Sequence, residues 1–164
     1  MNLPNAESLF ETLAERIKLV IKANTAIVGI HSGGAWLTDR LLPILGKDLE
    51  HGILDVSFYR DDYAKRGLKE EVRPSQIPFE IEGANILLVD DVLYTGRTTR
   101  AAINTLFDYG RPAKIMLAAL VDRGGRELPI SADFVAKTLV LPTEQMLVLQ
   151  KADDGRLSLT IDHA

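Results

Sequence analysis

Two adjacent acids, Asp90 and Asp91, follow an apolar run and stand just before a hydroxyl-rich turn, Thr95 to Thr98. Neighbouring carboxylates repel each other, and that cost is tolerable when they face solvent, diol hydroxyls or a hydrated Mg²⁺. The turn opens a predicted helix, where free backbone N–H groups and the positive end of the helix dipole favour a phosphate. Gly96 permits close approach of the backbone. The pattern therefore indicates one ligand that carries both a diol and a phosphate: a ribose 5-phosphate.

Two other phosphate-binding motifs are missing from the chain. A P-loop needs Gly-Lys-Ser/Thr and a dinucleotide site needs G-x-G-x-x-G, and neither occurs. A purely structural interpretation remains, in which Asp90 and Asp91 end a strand and the threonines cap a helix. Spacing alone leaves these two interpretations open.

The acids and the turn need a strand before them and a helix after them. Ile86 to Val89 is short and wholly apolar, which is typical of a central parallel strand. Thr98 to Tyr109 has helical spacing and is followed by Gly110, a helix-ending residue. In open α/β sheets, ligands bind beyond the carboxyl ends of the strands. We therefore expect Asp90 and Asp91 at the mouth of a crevice.

The rest of the chain alternates between strand and helix patterns. Helices are predicted over residues 5–24 and over Ala35 to Leu45, with the loop "HSGG" (His31 to Gly34) before the second; strands are predicted over Ala26 to Ile30, 54–58, Lys114 to Asp122, Phe134 to Leu141 and Met146 to Leu149. Asp153 to Arg156 contains Asp-Gly, a good turn between two apolar strands. The charged, proline-broken stretch from Tyr59 to Pro78 is predicted to be a functional or mobile loop. An open α/β sheet is the economical architecture.

Composition bounds the class of protein. A chain of 164 residues with 46% hydrophobic content fits one domain, residues 1–164, that buries roughly two thirds of its unfolded surface. Cysteine is missing, which excludes disulfides, thiol nucleophiles and cysteine-ligated zinc. No apolar run reaches the length of a membrane span and no signal-peptide pattern opens the chain, so a soluble cytoplasmic protein is expected. A net charge of −4 gives no global attraction for nucleic acid, although a local basic patch remains open.

Longer stretches carry a specific resemblance. "ILLVDDVLYTGRTTRAA" is similar to the phosphoribosyl pyrophosphate (PRPP) motif of the type I phosphoribosyltransferases, and its wording resembles the PyrR family. Members of that family are pyrimidine operon attenuation proteins that double as uracil phosphoribosyltransferases. The likeness extends to "FYRDD", "IPFEIEG" and "FDYGRPAKIMLAALVDRGGRELPISADFVAK". It implies the type I phosphoribosyltransferase fold: a central, mostly parallel sheet flanked by helices, with a mobile hood loop.

The resemblance also implies roles for individual residues. Asp90 and Asp91 would hold the ribose hydroxyls of PRPP, directly or through Mg²⁺, and Thr95 to Thr98 would hold the 5-phosphate. The whole PRPP motif comprises Asp90, Asp91, Val92, Leu93, Tyr94, Thr95, Gly96, Arg97 and Thr98. Ser32 and Gly33 fall in the pyrophosphate loop and Arg60 in the hood. Arg123 and the backbone around Met146 match the nucleobase pocket; without the family, Arg60 would be a solvated charge and Met146 a core residue.

One departure from the family pattern bears on catalysis, and one match to the family bears on the choice of base. Family members carry "KTRG" where this chain has "HSGG", so that His31 and Gly33 replace a lysine and an arginine near the pyrophosphate. Backbone N–H groups of this loop can still bind an anion. Purine-salvage relatives carry an aspartate where this chain has Tyr94, which favours the pyrimidine branch.

A second departure concerns RNA. The family implies a dimer that binds an mRNA leader hairpin through a basic face, partly with its first helix. Here that helix mixes Glu7, Glu11 and Glu15 with its basic residues, and Ser131 stands where a family arginine is expected. Phosphate contacts need cations. RNA attenuation is therefore a secondary hypothesis.

The leading functional hypothesis is uracil phosphoribosyltransferase: uracil and PRPP give UMP and pyrophosphate with Mg²⁺, combined with pyrimidine-responsive attenuation. The alternatives are a UMP- or PRPP-sensing regulator with little turnover, which the altered "HSGG" loop favours, and a phosphoribosyltransferase for another base, against which Tyr94 speaks. The resemblance further implies a homodimer or homotetramer with no membrane partner.

Overall fold

The computed structural model describes residues 2–56 and 75–163. Its elements in chain order are α1 (Ala6–Val20), β1 (Thr25–Ile30), α2 (Gly33–Leu45), β2 (His51–Leu54), β3 (Asn85–Leu93), α3 (Arg97–Tyr109), β4 (Lys114–Asp122), β5 (Phe134–Thr138), β6 (Gln145–Lys151) and β7 (Leu157–His163). Of the stretch predicted as a loop, Tyr59 to Pro78, residues 59–74 lie outside the described residues, and with them Arg60, which was predicted for the hood.

The described strands form a parallel five-stranded sheet, in the order β2-β1-β3-β4-β5, and a separate antiparallel pair, β6-β7. Alternate residues of the central strands point into two apolar clusters, one on each face of the sheet. Ile27 and Leu87 pack with α1 and α2 on one face, whereas Val28 and Leu88 pack with α3 on the other. Both faces are therefore covered, as a parallel sheet requires. The predicted α/β architecture is confirmed.

The predicted end of the first helix was wrong. Asn5 caps α1 as predicted, with its side chain accepting a hydrogen bond from Ser8 N–H (3.0 Å), but the helix ends at Val20 and not near Asn24. Ile21 is extended there and a turn closed by Thr25 N–H and the Lys22 carbonyl leads straight into β1.

The second strand lies earlier than predicted. β2 comprises His51–Leu54 because these residues pair in register with Ile27 to Ile30 of β1. Residues 54–58 were predicted as the strand from the alternation of apolar side chains. Val56 is buried as that alternation requires, although it lies beyond the strand, and Phe58 is outside the described residues.

The β6-β7 hairpin packs on the same core as the sheet. Its turn contains Asp153 and Asp154, as predicted, and Gly155 there has a φ of +89°, a left-handed conformation that glycine adopts without strain. Leu147, Leu149 and Leu157 are buried in the cluster that also holds α1 and α2. None of the helices within residues 2–56 and 75–163 is long and apolar enough to cross a membrane.

Candidate active site

A cavity of about 950 Å³ opens at the carboxyl ends of the central strands. Its lining comes from the end of β1, the first turn of α2, the last part of β3, the turn into α3, the residue after β4, and β6. The lining residues are Ile30, His31, Ser32, Gly33, Trp36, Asp90, Asp91, Val92, Tyr94, Thr95, Arg97, Thr98, Arg123, Glu127, Thr143, Met146, Leu147, Val148, Leu149, Gln150 and Lys151. This is the sheet edge at which the sequence predicted a ligand crevice.

Asp90 and Asp91 lie within β3, and not after it as predicted. The strand continues to Leu93 because β4 still pairs with it there, whereas its pairing with β1 ends at Val89. β3 therefore extends past its neighbour β1, and both of its acids line the cavity. Asp90 is only 6% exposed, and its carboxylate accepts a hydrogen bond from Asp91 N–H (2.8 Å).

The "HSGG" segment packs directly beside these acids. It was predicted as a loop of four residues, but α2 already begins at Gly33, and the His31–Ser32 peptide bond is cis. A Cβ on Gly33 would lie 2.2 Å from Asp91 Oδ2, and one on Gly34 would lie 2.2 Å from the Val89 carbonyl oxygen. The two glycines thus allow the first turn of α2 to touch β3. Ser32 and Gly33, predicted for the pyrophosphate, lie next to Asp91.

Gly96 shapes the turn between β3 and α3. Its φ of +93° is in the left-handed region, and a Cβ there would approach Ile130 Cγ1 to 3.0 Å. Thr95 is buried, and its hydroxyl accepts a hydrogen bond from Arg97 N–H at 3.2 Å. Of the turn predicted for the 5-phosphate, Thr95, Arg97 and Thr98 line the cavity.

Leu93 and Gly96 belong to the predicted PRPP motif but do not line the cavity. Leu93 is 2% exposed and packs in the apolar cluster around α3, on the opposite face of the sheet. Its place in the motif is that of a core residue that anchors the turn. Gly96 contributes the backbone conformation of the turn.

Arg123 and Tyr94 form the other end of the cavity. The Arg123 guanidinium lies 3.9 Å from the centre of the Tyr94 ring and is buried. It donates hydrogen bonds to the carbonyl oxygens of Gln145 (2.6 Å) and Pro142 (3.0 Å). Its terminal nitrogens are thereby engaged with the segment that leads into β6, and its Nε has no hydrogen-bond partner within the described part of the chain. Arg123 fixes the start of β6, where Met146 lines the cavity.

The loop after β4 packs against Tyr94. Arg126 donates to the Tyr94 carbonyl (2.7 Å) and to the Asp122 carboxylate (2.6 Å). Burial raises the pKa of Asp122, but hydrogen bonds from Arg126 and from Gly124 N–H outweigh burial and lower it overall. This ion pair joins the end of β4 to the loop and holds it against the cavity.

Three charged or aromatic cavity residues, Trp36, Glu127 and Lys151, were missed at the sequence level. Trp36 on α2 lies beneath Lys151 of β6, whose ammonium nitrogen is 5.4 Å from the centre of the indole. Glu127 pairs with Arg97 at 2.8 Å, and both side chains are more than half exposed. Trp36 falls within the helix predicted over Ala35 to Leu45, where it was given no functional role, and no motif marks Glu127 or Lys151.

The cavity carboxylates fit a hydrated magnesium ion better than a closed metal site. Within residues 2–56 and 75–163, no group of three histidine, aspartate or glutamate side chains could hold a metal ion. Mg²⁺ typically uses one or two carboxylates and fills its shell with waters and substrate phosphates. Asp90 and Asp91 match that requirement.

Comparisons with known proteins show the family and the fold to which the chain belongs. A family model described as "Phosphoribosyl transferase domain" matches residues 2–144. The chain is 48% identical to the Bifunctional protein PyrR of Ralstonia nicotianae, over 92% of this chain and 88% of the relative. It is 45% identical to the Bifunctional protein PyrR of Nitrosococcus oceani, over 97% and 96% of the two chains.

Solved structures with the same fold include a Trypanosoma cruzi hypoxanthine phosphoribosyl transferase, with a TM-score of 0.64 and 23% identity over 86% of this chain and 78% of that one. Another is the HGPRT-ase from Leishmania tarentolae in complex with GMP, with a TM-score of 0.63 and 16% identity over 86% and 82% of the two chains. At these identities the structural likeness concerns the fold alone.

Proposed function

The chain belongs to the PyrR family of phosphoribosyltransferase-domain proteins, and on that premise we propose that it converts uracil and PRPP to UMP and pyrophosphate. The observation that carries the proposal is the meeting of three features in one cavity. The acids Asp90 and Asp91 lie between the first turn of α2 and the Gly96 turn before α3. Each of these features suits one part of PRPP.

The reaction is a displacement at the anomeric carbon of the ribose. A bond forms from a uracil ring nitrogen to that carbon, the bond from the carbon to the diphosphate oxygen breaks, and the uracil nitrogen loses its proton. Positive charge grows on the sugar and negative charge on the leaving group. The site therefore needs positioned donors and exclusion of water more than a covalent nucleophile.

In this proposal each element that lines the cavity binds one part of the substrate. Asp90 and Asp91 accept hydrogen bonds from the ribose hydroxyls, and Thr95 to Thr98 donate to the 5-phosphate. The buried position of Asp90 keeps its carboxylate fixed, so that little reorganisation is needed on binding. Tyr94 and Met146 flank the space for the base, and Arg123 acts by positioning the backbone that precedes Met146.

Mg²⁺ fits this site as a partner of PRPP. Asp90 and Asp91 would hold it, through waters or directly, and when bound it neutralises part of the charge that the diphosphate carries away. We further place the protein in the cytoplasm, as a homodimer or homotetramer. Light scattering at micromolar concentration would test the assembly state; a monomer would contradict it.

Base specificity decides between this function and purine salvage. Tyr94 carries no carboxylate that could exchange a proton with a purine ring, and its face is occupied by Arg123. We expect UMP from uracil and PRPP with Mg²⁺, and no nucleotide from hypoxanthine or guanine, when products are separated by chromatography. Turnover with a purine but not with uracil would overturn the assignment.

A regulatory role is the second candidate. The relatives are named bifunctional, and we propose that this chain binds a pyrimidine-gene mRNA leader hairpin in a way that depends on UMP or PRPP. The replacement of the family's lysine and arginine by His31 and Gly33 also favours a variant of this hypothesis, in which the pocket senses nucleotide with little turnover. Gel-shift titrations of the leader RNA with and without UMP would test it. An affinity that UMP leaves unchanged would exclude the sensing role.

A further inference from the structure

The positively charged side chains that line the cavity differ in whether other protein groups already pair with them. PRPP carries a phosphate and a diphosphate, whereas the cavity lining contains Asp90, Asp91 and Glu127. A ligand so negative needs compensating positive charge. Arg97 is paired with Glu127, and Arg123 donates to backbone carbonyls from a buried position.

Lys151 is the contrasting case. Its side chain is exposed and forms no ion pair with any residue in the described part of the chain. The contact it does make is with the face of Trp36, at 5.4 Å from the ring centre. An ammonium over an indole is attracted by the ring but keeps its hydrogen-bond donors available.

The position of Trp36 places this ammonium beside the loop predicted for the pyrophosphate. The backbone N–H of Trp36 donates to the Ser32 carbonyl at 3.1 Å, so Trp36 lies one helical turn after Ser32, the residue that precedes α2. Ser32 and Gly33 line the same cavity and Gly33 touches Asp91. The lysine thus lies at the α2 side of the cavity.

β6 runs along the cavity from one end to the other. Met146, near the start of the strand, lies toward the Arg123 end of the cavity, and Lys151 ends the strand about 17 Å further on. That separation matches a ligand whose base lies at one end of the strand and whose diphosphate lies at the other, within reach of the lysine side chain.

We propose that Lys151 binds the diphosphate of PRPP and the pyrophosphate product, supplying from β6 a positive charge that the Ser32–Gly33 loop lacks. The inference rests on the proposed function, which it deepens by assigning the diphosphate end of the site.

The test compares Lys151→Met and Lys151→Arg with wild type. Lys137→Met is the matched control, because Lys137 is an exposed strand lysine that does not line the cavity. Loss of one charge-assisted hydrogen bond weakens binding by about tenfold. Lys151→Met should raise the KM for PRPP and the inhibition constant of pyrophosphate by about that factor, with the KM for uracil within about twofold of wild type. Lys151→Arg should restore most of the loss.

Trp36 gives a second readout, because it is the single tryptophan of the chain. Magnesium pyrophosphate should change its fluorescence in wild type and in Lys137→Met, but not in Lys151→Met at the same concentration. Kinetic constants of Lys151→Met equal to those of Lys137→Met would overturn the proposal. An equal loss of affinity for ribose 5-phosphate would also overturn it, since the lysine would then serve the other phosphate.

The fluorescence titration with magnesium pyrophosphate needs no turnover. A wild-type protein that fails to make UMP, yet binds pyrophosphate through Lys151, would refute the proposed reaction and uphold the assignment of the lysine.

Discussion

Individual glycines decide how closely the backbone can surround a ligand in this cavity. Gly33 brings the first turn of α2 against Asp91, and Gly96 turns the chain into α3 with a φ that other residues rarely adopt. The reactive groups are ordinary acids and hydroxyls. Their usefulness comes from backbone positions that only glycine permits.

Gly96→Ala tests this at the turn. The left-handed φ should cost about 1–2 kcal/mol of unfolding free energy, and the crowding by Ile130 should displace the turn. Gly155→Ala is the control, because Gly155 has a similar φ, +89°, with open space around it. Both variants should have a lower urea midpoint of unfolding than wild type, whereas only Gly96→Ala should raise the KM for PRPP. Equal KM values in the two variants would show that the turn does not contact the substrate.

The cavity residues were predictable where one short segment held them. Asp90 and the Thr95 turn could be identified because strand, acids and helix start follow one another directly. Trp36 and Lys151 could not, because their contact joins residues more than a hundred positions apart and depends on where β6 passes over α2. Arg123 was predicted for the base pocket, but its engagement with backbone carbonyls required the fold.

At the scale of elements, unequal strand lengths create the site. β3 extends further than β1, so Asp90 and Asp91 lie beyond the last residue pair with β1, where the first turn of α2 packs against them. The sequence predicted these strands from their apolar runs, but it placed the end of β3 at Val89. Polar residues usually end strands in such patterns, and only the continued pairing with β4 keeps Asp90 and Asp91 in one.

Glu7 connects a second set of elements through hydrogen bonds. Its carboxylate accepts two hydrogen bonds from Arg40, each 2.7 Å, and one from Leu157 N–H at 2.8 Å. These bonds join α1, α2 and β7. The Arg40 hydrogen bond lowers the pKa of Glu7 to about 2, against the opposing effect of burial.

Glu7→Gln should therefore reduce stability in a pH-dependent way. A depressed carboxyl pKa stabilises the fold above the unfolded pKa, and that stability is lost as pH falls from about 4.5 toward about 2. Because both side chains are about one third exposed, we expect the variant to lose about 1 kcal/mol at pH 7 and nothing near pH 2. Urea unfolding at several pH values measures this, with the exposed Glu15→Gln as the control. A constant difference across that range would show that the ion pair is not its cause.

The whole molecule shares its apolar core between the sheet and the β6-β7 hairpin. The family model ends at residue 144, yet leucines of the hairpin are buried with α1 and α2. The hairpin also completes the cavity, since β6 carries six of its lining residues, Met146 to Lys151. We propose that residues 1–164 form a single domain.

One domain should unfold in one cooperative step. Urea transitions followed by Trp36 fluorescence, which reports on α2 and β6, and by far-ultraviolet circular dichroism should have the same midpoint. An earlier fluorescence transition would indicate that the hairpin is a separate unit and would contradict the single-domain proposal.

The most direct test of the account is turnover of uracil and PRPP with Mg²⁺ by wild type and by Asp90→Asn/Asp91→Asn. Asp39→Asn/Asp108→Asn serves as the control, because it removes the same charge from two exposed helix positions outside the cavity. The account predicts UMP and pyrophosphate from wild type and control, and at least about a hundredfold loss of kcat/KM in the cavity variant with its unfolding midpoint close to that of wild type. Undiminished turnover in the cavity variant would contradict the assignment of PRPP to this cavity.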